Sequence, residues 1–137
     1  MTFLAFRSMF RFSIPWAIFA FALFALEVFI GAKVHDNFVR PYLGDVLVVI
    51  LVHAIVRTFV TIPWRPVLVG VVLFAFAVEG MQAIHLGDLL GLRPGSIAAI
   101  VLGSQADLKD LLCYLAGALV VFGLEWLLEE RQAKASR

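Results

Sequence analysis

The sequence has little charge and almost no cysteine. Charged residues make up 15% of the 137 positions, and the eleven basic residues form no stripe of the kind that binds nucleic acid. The single cysteine, Cys113, cannot form an internal disulfide and lies at no metal-ligand spacing. Neither a nucleic-acid-binding protein nor a disulfide-rich secreted domain fits this composition, and we expect no nucleic-acid partner, no cofactor and no metal.

Apolar residues, in contrast, are in large excess. They make up 63% of the chain, and the mean hydropathy is +1.00. Soluble domains are about half apolar and about a quarter charged, so this composition is typical of a membrane protein. The length allows one domain, residues 1–137. We therefore expect an all-α integral membrane protein built as a bundle of four transmembrane helices.

Four apolar segments are long enough to cross a bilayer, which takes about 20 helical residues. The predicted spans are 12–30, 46–62, 67–84 and 108–128. Pro41 and Gly44 predict a break before the second span, and Pro63 and Pro66 predict a tight turn before the third. Residues 97–102 are too short to cross, so we expect them to lie at the interface or to re-enter the membrane. A charged tail is predicted from 129 to 137.

Basic residues are distributed unevenly between the two ends of this bundle. Seven fall at the end that holds the termini: Arg7, Arg11, Arg57, Arg65, Arg131, Lys134 and Arg137. Four fall at the other end: Lys33, Arg40, Arg93 and Lys109. The positive-inside rule therefore predicts that both termini are cytoplasmic.

Acidic residues have the opposite distribution. Seven of the ten lie toward the predicted outer end, where ionisable groups in a membrane usually face a bundle interior or a wet cavity. Asp107, Asp110 and Tyr114 have the spacing of one helix face, and Glu79 and Gln82 end a stripe on the third span. One outward-facing polar pocket is predicted. The candidates for ligand binding or proton relay are Glu79, Gln82, Asp107, Asp110, Tyr114, Glu27, His35, Asp36, Arg40, Asp45, His53 and His85.

Each of these candidates also has a structural interpretation. Glu27, Asp36 and Asp45 lie near predicted helix ends, where caps and solvated charges are ordinary. His35 and His85 fall in connections, where a lone histidine is usually exposed. His53 could pair with Arg57 four residues later. The Glu79–Gln82 and Asp107–Asp110 pairs could form an interhelical hydrogen-bond cluster that orients the bundle.

Three segments resemble one family of small bacterial membrane proteins. They are HDNFVRPYLGD at 35–45 with the VLVVILVHAIVR that follows, VEGMQAIHLGDLLGL at 78–92, and LGSQADLKDLLCYLAG at 102–117. Together they resemble the four-span domain of unknown function family DUF2809, from Glu27 to about Glu125. The resemblance implies the architecture and a place in the bacterial inner membrane, but no reaction.

A weaker likeness is to the VanZ-like family, which is linked to teicoplanin resistance. That family pairs a Glu-x-x-Gln helix with a later Asp-x-x-x-Asn-x-x-Gly helix. Glu79 and Gln82 match the first motif, and Asp110 and Gly117 match the second. Tyr114 stands where the family usually has asparagine. This likeness implies a role in resistance or in the cell envelope.

Four functions remain open at this point. The first, which we favour, is recognition of a lipid-like or amphiphilic ligand of the outer leaflet, with Arg40 or Arg93 holding a phosphate and Glu79 and Asp110 available for acid–base work. No nucleophile motif accompanies them, so binding is favoured over catalysis. The second is a proton-coupled transporter or flippase. The third is divalent-metal binding by the acids and histidines. The fourth is a structural or accessory role. Membrane lipids are expected partners, and the oligomeric state stays open.

Overall fold

The part of the chain that the structure describes contains six helices, α1 to α6 in chain order. The computed structural model describes residues 9–102 and 106–137, so Arg7, counted above, lies outside the described residues. The helices are α1 Ile14–Lys33, α2 Val39–Phe59, α3 Trp64–Ala83, α4 Leu86–Leu89, α5 Ile97–Leu102 and α6 Leu108–Ala135. Four of them, α1, α2, α3 and α6, are long and apolar enough to cross a membrane. The all-helical fold with four candidate spans is confirmed.

Proline positions explain where the helix boundaries differ from the prediction. Pro41 lies in the first turn of α2, which begins at Val39, and Pro66 lies in the first turn of α3. First-turn N–H groups have no partner within the helix, so a proline there removes no hydrogen bond. The predicted breaks at Pro41, Gly44 and Pro66 are therefore wrong. The predicted tail also differs, because α6 continues to Ala135.

Helix α2 is the centre of the bundle. It packs against α1, α3 and α6, and α3 also packs against α6. Gly117 allows the close approach of α6 to α2, since a Cβ atom there would lie 2.5 Å from the carbonyl oxygen of Val46. The buried apolar residues from these helices form two clusters, around Ala54 and Val121 and around Val49 and Val71.

The bundle has two ends, which we name by what they hold. The termini end holds residues 9–13, the α2–α3 connection and the last turns of α6. The far end holds the α1–α2 connection and the segment between α3 and α6. At the termini end, residues 9–13 run beside the end of α2: Arg11 N donates to Phe59 O at 3.0 Å, and Ser13 N donates to Thr58 O at 2.7 Å.

Large apolar side chains cover the outside of the bundle. Phe21 of α1 is 75% exposed, Leu73 of α3 is 63% exposed and Leu119 of α6 is 73% exposed. A surface of this kind is costly in water and suits contact with lipid tails. Together with the four long apolar helices, it indicates a multi-pass membrane protein.

Candidate functional site

Glu79 connects α3 to the start of α6. Its side chain lies in the last turns of α3 with 4% of the residue exposed. Oε1 accepts a hydrogen bond from the backbone N of Asp107 at 2.8 Å, and Oε2 accepts one from the Tyr114 hydroxyl at 3.5 Å. The carboxylate is therefore partnered on both oxygens by the helix that follows the short α4–α5 segment.

Asp45 of α2 and Asp110 of α6 meet beside this contact. The carboxyl groups of Asp45 and Asp110 lie close enough to interact, and Glu79 also lies close enough to repel Asp45. Tyr114 has all three acids as charged neighbours. The structure thus brings Asp45, Glu79 and Asp110, from three different helices, to one depth around Tyr114.

A cavity of about 370 Å³ opens next to this group, and we call it the far-end cavity. Its polar lining residues are Glu27, Asp45, Gln82 and Tyr114, and its apolar lining includes Val48, Val52, Val71, Phe74 and Val78. Glu27 reaches it from α1. Among the described residues, the buried Oε1 of Glu27 has no hydrogen-bond partner. A buried acceptor of this kind carries a desolvation cost that a ligand donor would relieve.

An apolar groove continues from the far-end cavity toward the termini end. It has a volume of about 450 Å³ and lies between α2 and α3. The two spaces share Val52, Val71 and Phe74, and the groove extends to Val60. From Asp45 to Phe59, the last residue of α2, the helix rises about 21 Å, and Val60 follows directly. The combined space is therefore polar at one end and apolar along the rest of its length.

Two of the predicted site acids cap helices instead. Asp36 accepts hydrogen bonds from Phe38 N at 2.7 Å and Val39 N at 3.3 Å, at the start of α2. Asp107 is the N-cap of α6, where its Oδ1 accepts from Lys109 N at 2.9 Å. The backbone of Asp107 is extended, so this residue precedes the helix. The prediction from spacing that Asp107 shares a helix face with Asp110 is therefore wrong. Both acids have the cap role that ends of helices favour.

The loop histidines and Arg40 lie away from the far-end cavity. His35 is exposed, with Nδ1 3.0 Å from the carbonyl oxygen of Lys33. His85 is exposed and turns the chain between α3 and α4 with a φ of 54°. Arg40 and Arg93 are also exposed and do not belong to the cavity lining. These four residues do not join the acids of the site.

His53 belongs to a second buried cluster, about 12 Å along α2 from Asp45. Its Nε2 lies 2.8 Å from Oε1 of Glu125, which also accepts a hydrogen bond from Arg57 Nε at 2.8 Å. His53 is 1% exposed and Glu125 is 2% exposed. The sequence analysis included His53 among the candidates for the outward-facing pocket, noted that it could pair with Arg57, and gave Glu125 no role. The available signal was an acid within the fourth span, well separated from Asp110, which required a partner among the polar groups of the other spans.

Residues 34–118 match the family model described as a protein of unknown function, DUF2809. The match covers more than half of the chain. The chain belongs to the DUF2809 family. In this DUF2809 protein the matched range contains Asp45, Glu79, Gln82, Asp110 and Tyr114 of the site. Glu27, which lines the cavity from α1, and Glu125, which pairs with His53, lie outside it.

Two further observations bear on the chemistry of this DUF2809 protein. Within residues 9–102 and 106–137, no group of three or more histidine, cysteine, aspartate or glutamate side chains is placed to hold a metal ion. No curated protein and no solved structure matches the chain. The far-end cavity and its lining residues are therefore the features of the structure that bear on function.

Proposed function

We propose that this DUF2809 protein recognises an amphiphile with a cationic head group, which it binds in the far-end cavity. The supporting observation is the shape of the space: acids line the far-end cavity, and the cavity and the apolar groove together extend about 21 Å along α2. An ammonium head would lie between Glu27 and Asp45. Its alkyl chain would follow Val52, Val71 and Phe74 into the groove.

The charge of the lining selects the kind of head group. Glu27 and Asp45 line the cavity, and Asp110 adds a third acid close to Asp45. Arg40 and Arg93, which the sequence analysis considered as phosphate ligands, are exposed and do not line this space. Charge-assisted hydrogen bonds from an ammonium to carboxylates are strong in a poorly solvated site. An amine therefore fits this cavity better than a phosphate.

The proposal includes an orientation. Arg11, Arg57 and Arg65 belong to the termini end, and the positive-inside rule places such an end in the cytoplasm. The far-end cavity would then open to the outer leaflet of the bacterial inner membrane. The VanZ-like spacing of Glu79, Gln82 and Asp110 supports a related role in the cell envelope or in resistance to an amphiphilic antibiotic.

The distribution of polar groups inside the bundle favours ligand binding over proton-coupled transport. The far-end acids and the His53–Glu125 pair form separate clusters. Between them, α2 contributes Val49, which is 1% exposed, and the half-buried Val52. Proton relays through a membrane need a chain of ionisable or hydrogen-bonding groups. The valine layer interrupts such a chain on α2.

The test is the binding of dodecylammonium to the purified protein in lipid nanodiscs, with dodecanol as the uncharged probe. Glu27→Gln is expected to weaken dodecylammonium binding by about tenfold or more, since a hydrogen bond to a charged group contributes about 1.5–3 kcal/mol. Asp88→Asn removes an exposed acid at the same end and is the matched control. It should leave the dissociation constant unchanged.

Two results would overturn the proposal. One is equal affinity of the wild-type protein for dodecylammonium and dodecanol, because the acids would then contribute nothing. The other is an equal loss of affinity in Glu27→Gln and Asp88→Asn, which would mean that the probe responds to the general charge of this end. Thermal unfolding of both variants checks that the fold is retained.

A further inference from the structure

A second cavity lies at the termini end, beside the start of α1. It has a volume of about 610 Å³, and its polar lining residues are Arg11, Ser13, Arg57, Thr61 and Gln132. Trp16 forms part of its wall. We call it the arginine cavity. It shares no lining residue with the far-end cavity and shares only Val60 with the apolar groove, so it is separate from the acids on which the proposed function depends.

The arginine cavity has an excess of positive charge. Among the described residues, its lining contains two arginines and no acid. An adjoining cavity of about 660 Å³ contributes Glu125 and Glu129. Glu125 is paired with Arg57, and Glu129 accepts hydrogen bonds from Arg65 at 3.3 Å and from Trp64 Nε1 at 3.1 Å. Each nearby acid is therefore balanced by a basic group other than Arg11.

Arg57 is held in a fixed position that faces this space. Its Nε donates to Glu125 Oε1 at 2.8 Å, and its Nη1 donates to the carbonyl oxygen of Ile62 at 3.1 Å. The guanidinium also lies 5.5 Å from the centre of the Trp16 ring. Nη2 is the remaining nitrogen of the group. An arginine whose side chain is already ordered loses little conformational entropy when it binds an oxyanion.

The backbone at the start of α1 adds to the positive charge around the arginine cavity. Within the described chain, Ser13 precedes the helix without a side-chain hydrogen bond that caps it. The first N–H groups of a helix lack intrahelical partners and carry partial positive charge, which favours anions. Hydrogen bonds of residues 11 and 13 to the end of α2 hold this segment in place. The segment and Arg57 therefore surround one small positive space.

We propose that the arginine cavity binds a phosphate group, with Arg11 and Arg57 as its ligands and the start of α1 beside it. Arginine side chains recognise phosphate well, since the planar guanidinium can donate to two of its oxygens at once. The group could come from the head of an anionic phospholipid or from free phosphate in solution. The exposed apolar side chains of Phe12 and Ile14 lie at the same level and suit the acyl chains of a lipid.

The test compares phosphatidylglycerol with dioleoylglycerol, which has the same acyl chains and no phosphate. Binding to the purified protein is measured by native mass spectrometry and by tryptophan fluorescence, because Trp16 lines the cavity. Arg11→Gln is expected to weaken phosphatidylglycerol binding about tenfold, the usual loss for one charged hydrogen bond. Lys134→Gln, which removes an exposed basic residue in the last turn of α6, is the control and should change it less than about twofold.

The two sources of phosphate give different results. If sodium phosphate displaces phosphatidylglycerol, the cavity binds the free anion as well. If phosphatidylglycerol binds and sodium phosphate does not displace it, the ligand is the lipid. The proposal is wrong if phosphatidylglycerol and dioleoylglycerol bind equally, or if Arg11→Gln and Lys134→Gln have the same effect. Equal thermal midpoints for the two variants ensure that folding is not the cause.

Discussion

The carboxylate of Glu79 on α3 accepts a 2.8 Å hydrogen bond from the backbone N of Asp107, the residue that caps α6. This contact joins two helices across the segment that holds α4 and α5. Glu79 therefore has the structural role that the sequence analysis gave as its alternative, a hydrogen bond between helices. Glu27 and Asp45, in contrast, line the far-end cavity, so Glu79 joins two helices while the other two acids face an open space.

Removing the Glu79 carboxylate is expected to destabilise the protein. Glu79→Ala leaves the N–H of Asp107 and the hydroxyl of Tyr114 without this acceptor, at a cost of about 1–3 kcal/mol. Glu79→Gln retains one acceptor oxygen and should recover most of the loss. The midpoints of thermal unfolding in detergent measure both. Equal midpoints for Glu79→Ala and the wild-type protein would contradict the role of this bond.

The buried Glu125 should be more sensitive to substitution than Glu79. Glu125→Ala leaves Arg57 and His53 without their shared partner in a buried position, and breaking such a pair costs about 3–5 kcal/mol. Glu130→Ala, an exposed acid of the same helix, is the control. Chemical unfolding should show a large loss for the first variant and almost none for the second. Similar losses for the two would rule out a buried ion pair at Glu125.

The approach of α6 to α2 can be tested with two glycines of the same helix. Gly117→Ala places a Cβ atom 2.5 Å from Val46 O, and such overpacking costs about 1–3 kcal/mol. A Cβ atom at Gly123 meets nothing within 4 Å, so Gly123→Ala should be neutral or stabilising by up to about 1 kcal/mol. Unfolding midpoints that move in the same direction for both variants would contradict the close packing at Gly117.

Composition and hydropathy were sufficient to predict the class of fold. Four apolar runs predicted four spans, and residues 97–102 were predicted to be too short to cross; the structure shows a short helix, Ile97–Leu102, at that position. The boundaries were harder, because Pro41 and Pro66 can either end a helix or lie in its first turn. Local sequence does not distinguish these cases. Which of the two occurs depends on where the preceding residues lie relative to the helix, and tertiary packing sets that position.

The site was predictable in part for a similar reason. Burial in hydrocarbon requires acids to find partners, so the meeting of Asp45, Glu79 and Asp110 followed from their common depth. Depth alone does not specify which way a side chain turns. His53 turns toward Glu125 of α6, and this contact depends on the rotation of α2 and α6 about their axes. A single sequence carries little information on that rotation.

The most direct test of the proposed function is to locate a bound amphiphile by structure. The probe is dodecylammonium carrying a terminal bromine, whose position anomalous diffraction identifies without ambiguity. We expect the ammonium between Glu27 and Asp45 and the bromine in the apolar groove beside Val56. A bromine on the outer surface of the bundle, or an ammonium away from both acids, would contradict the proposal that this cavity is where the protein binds its ligand.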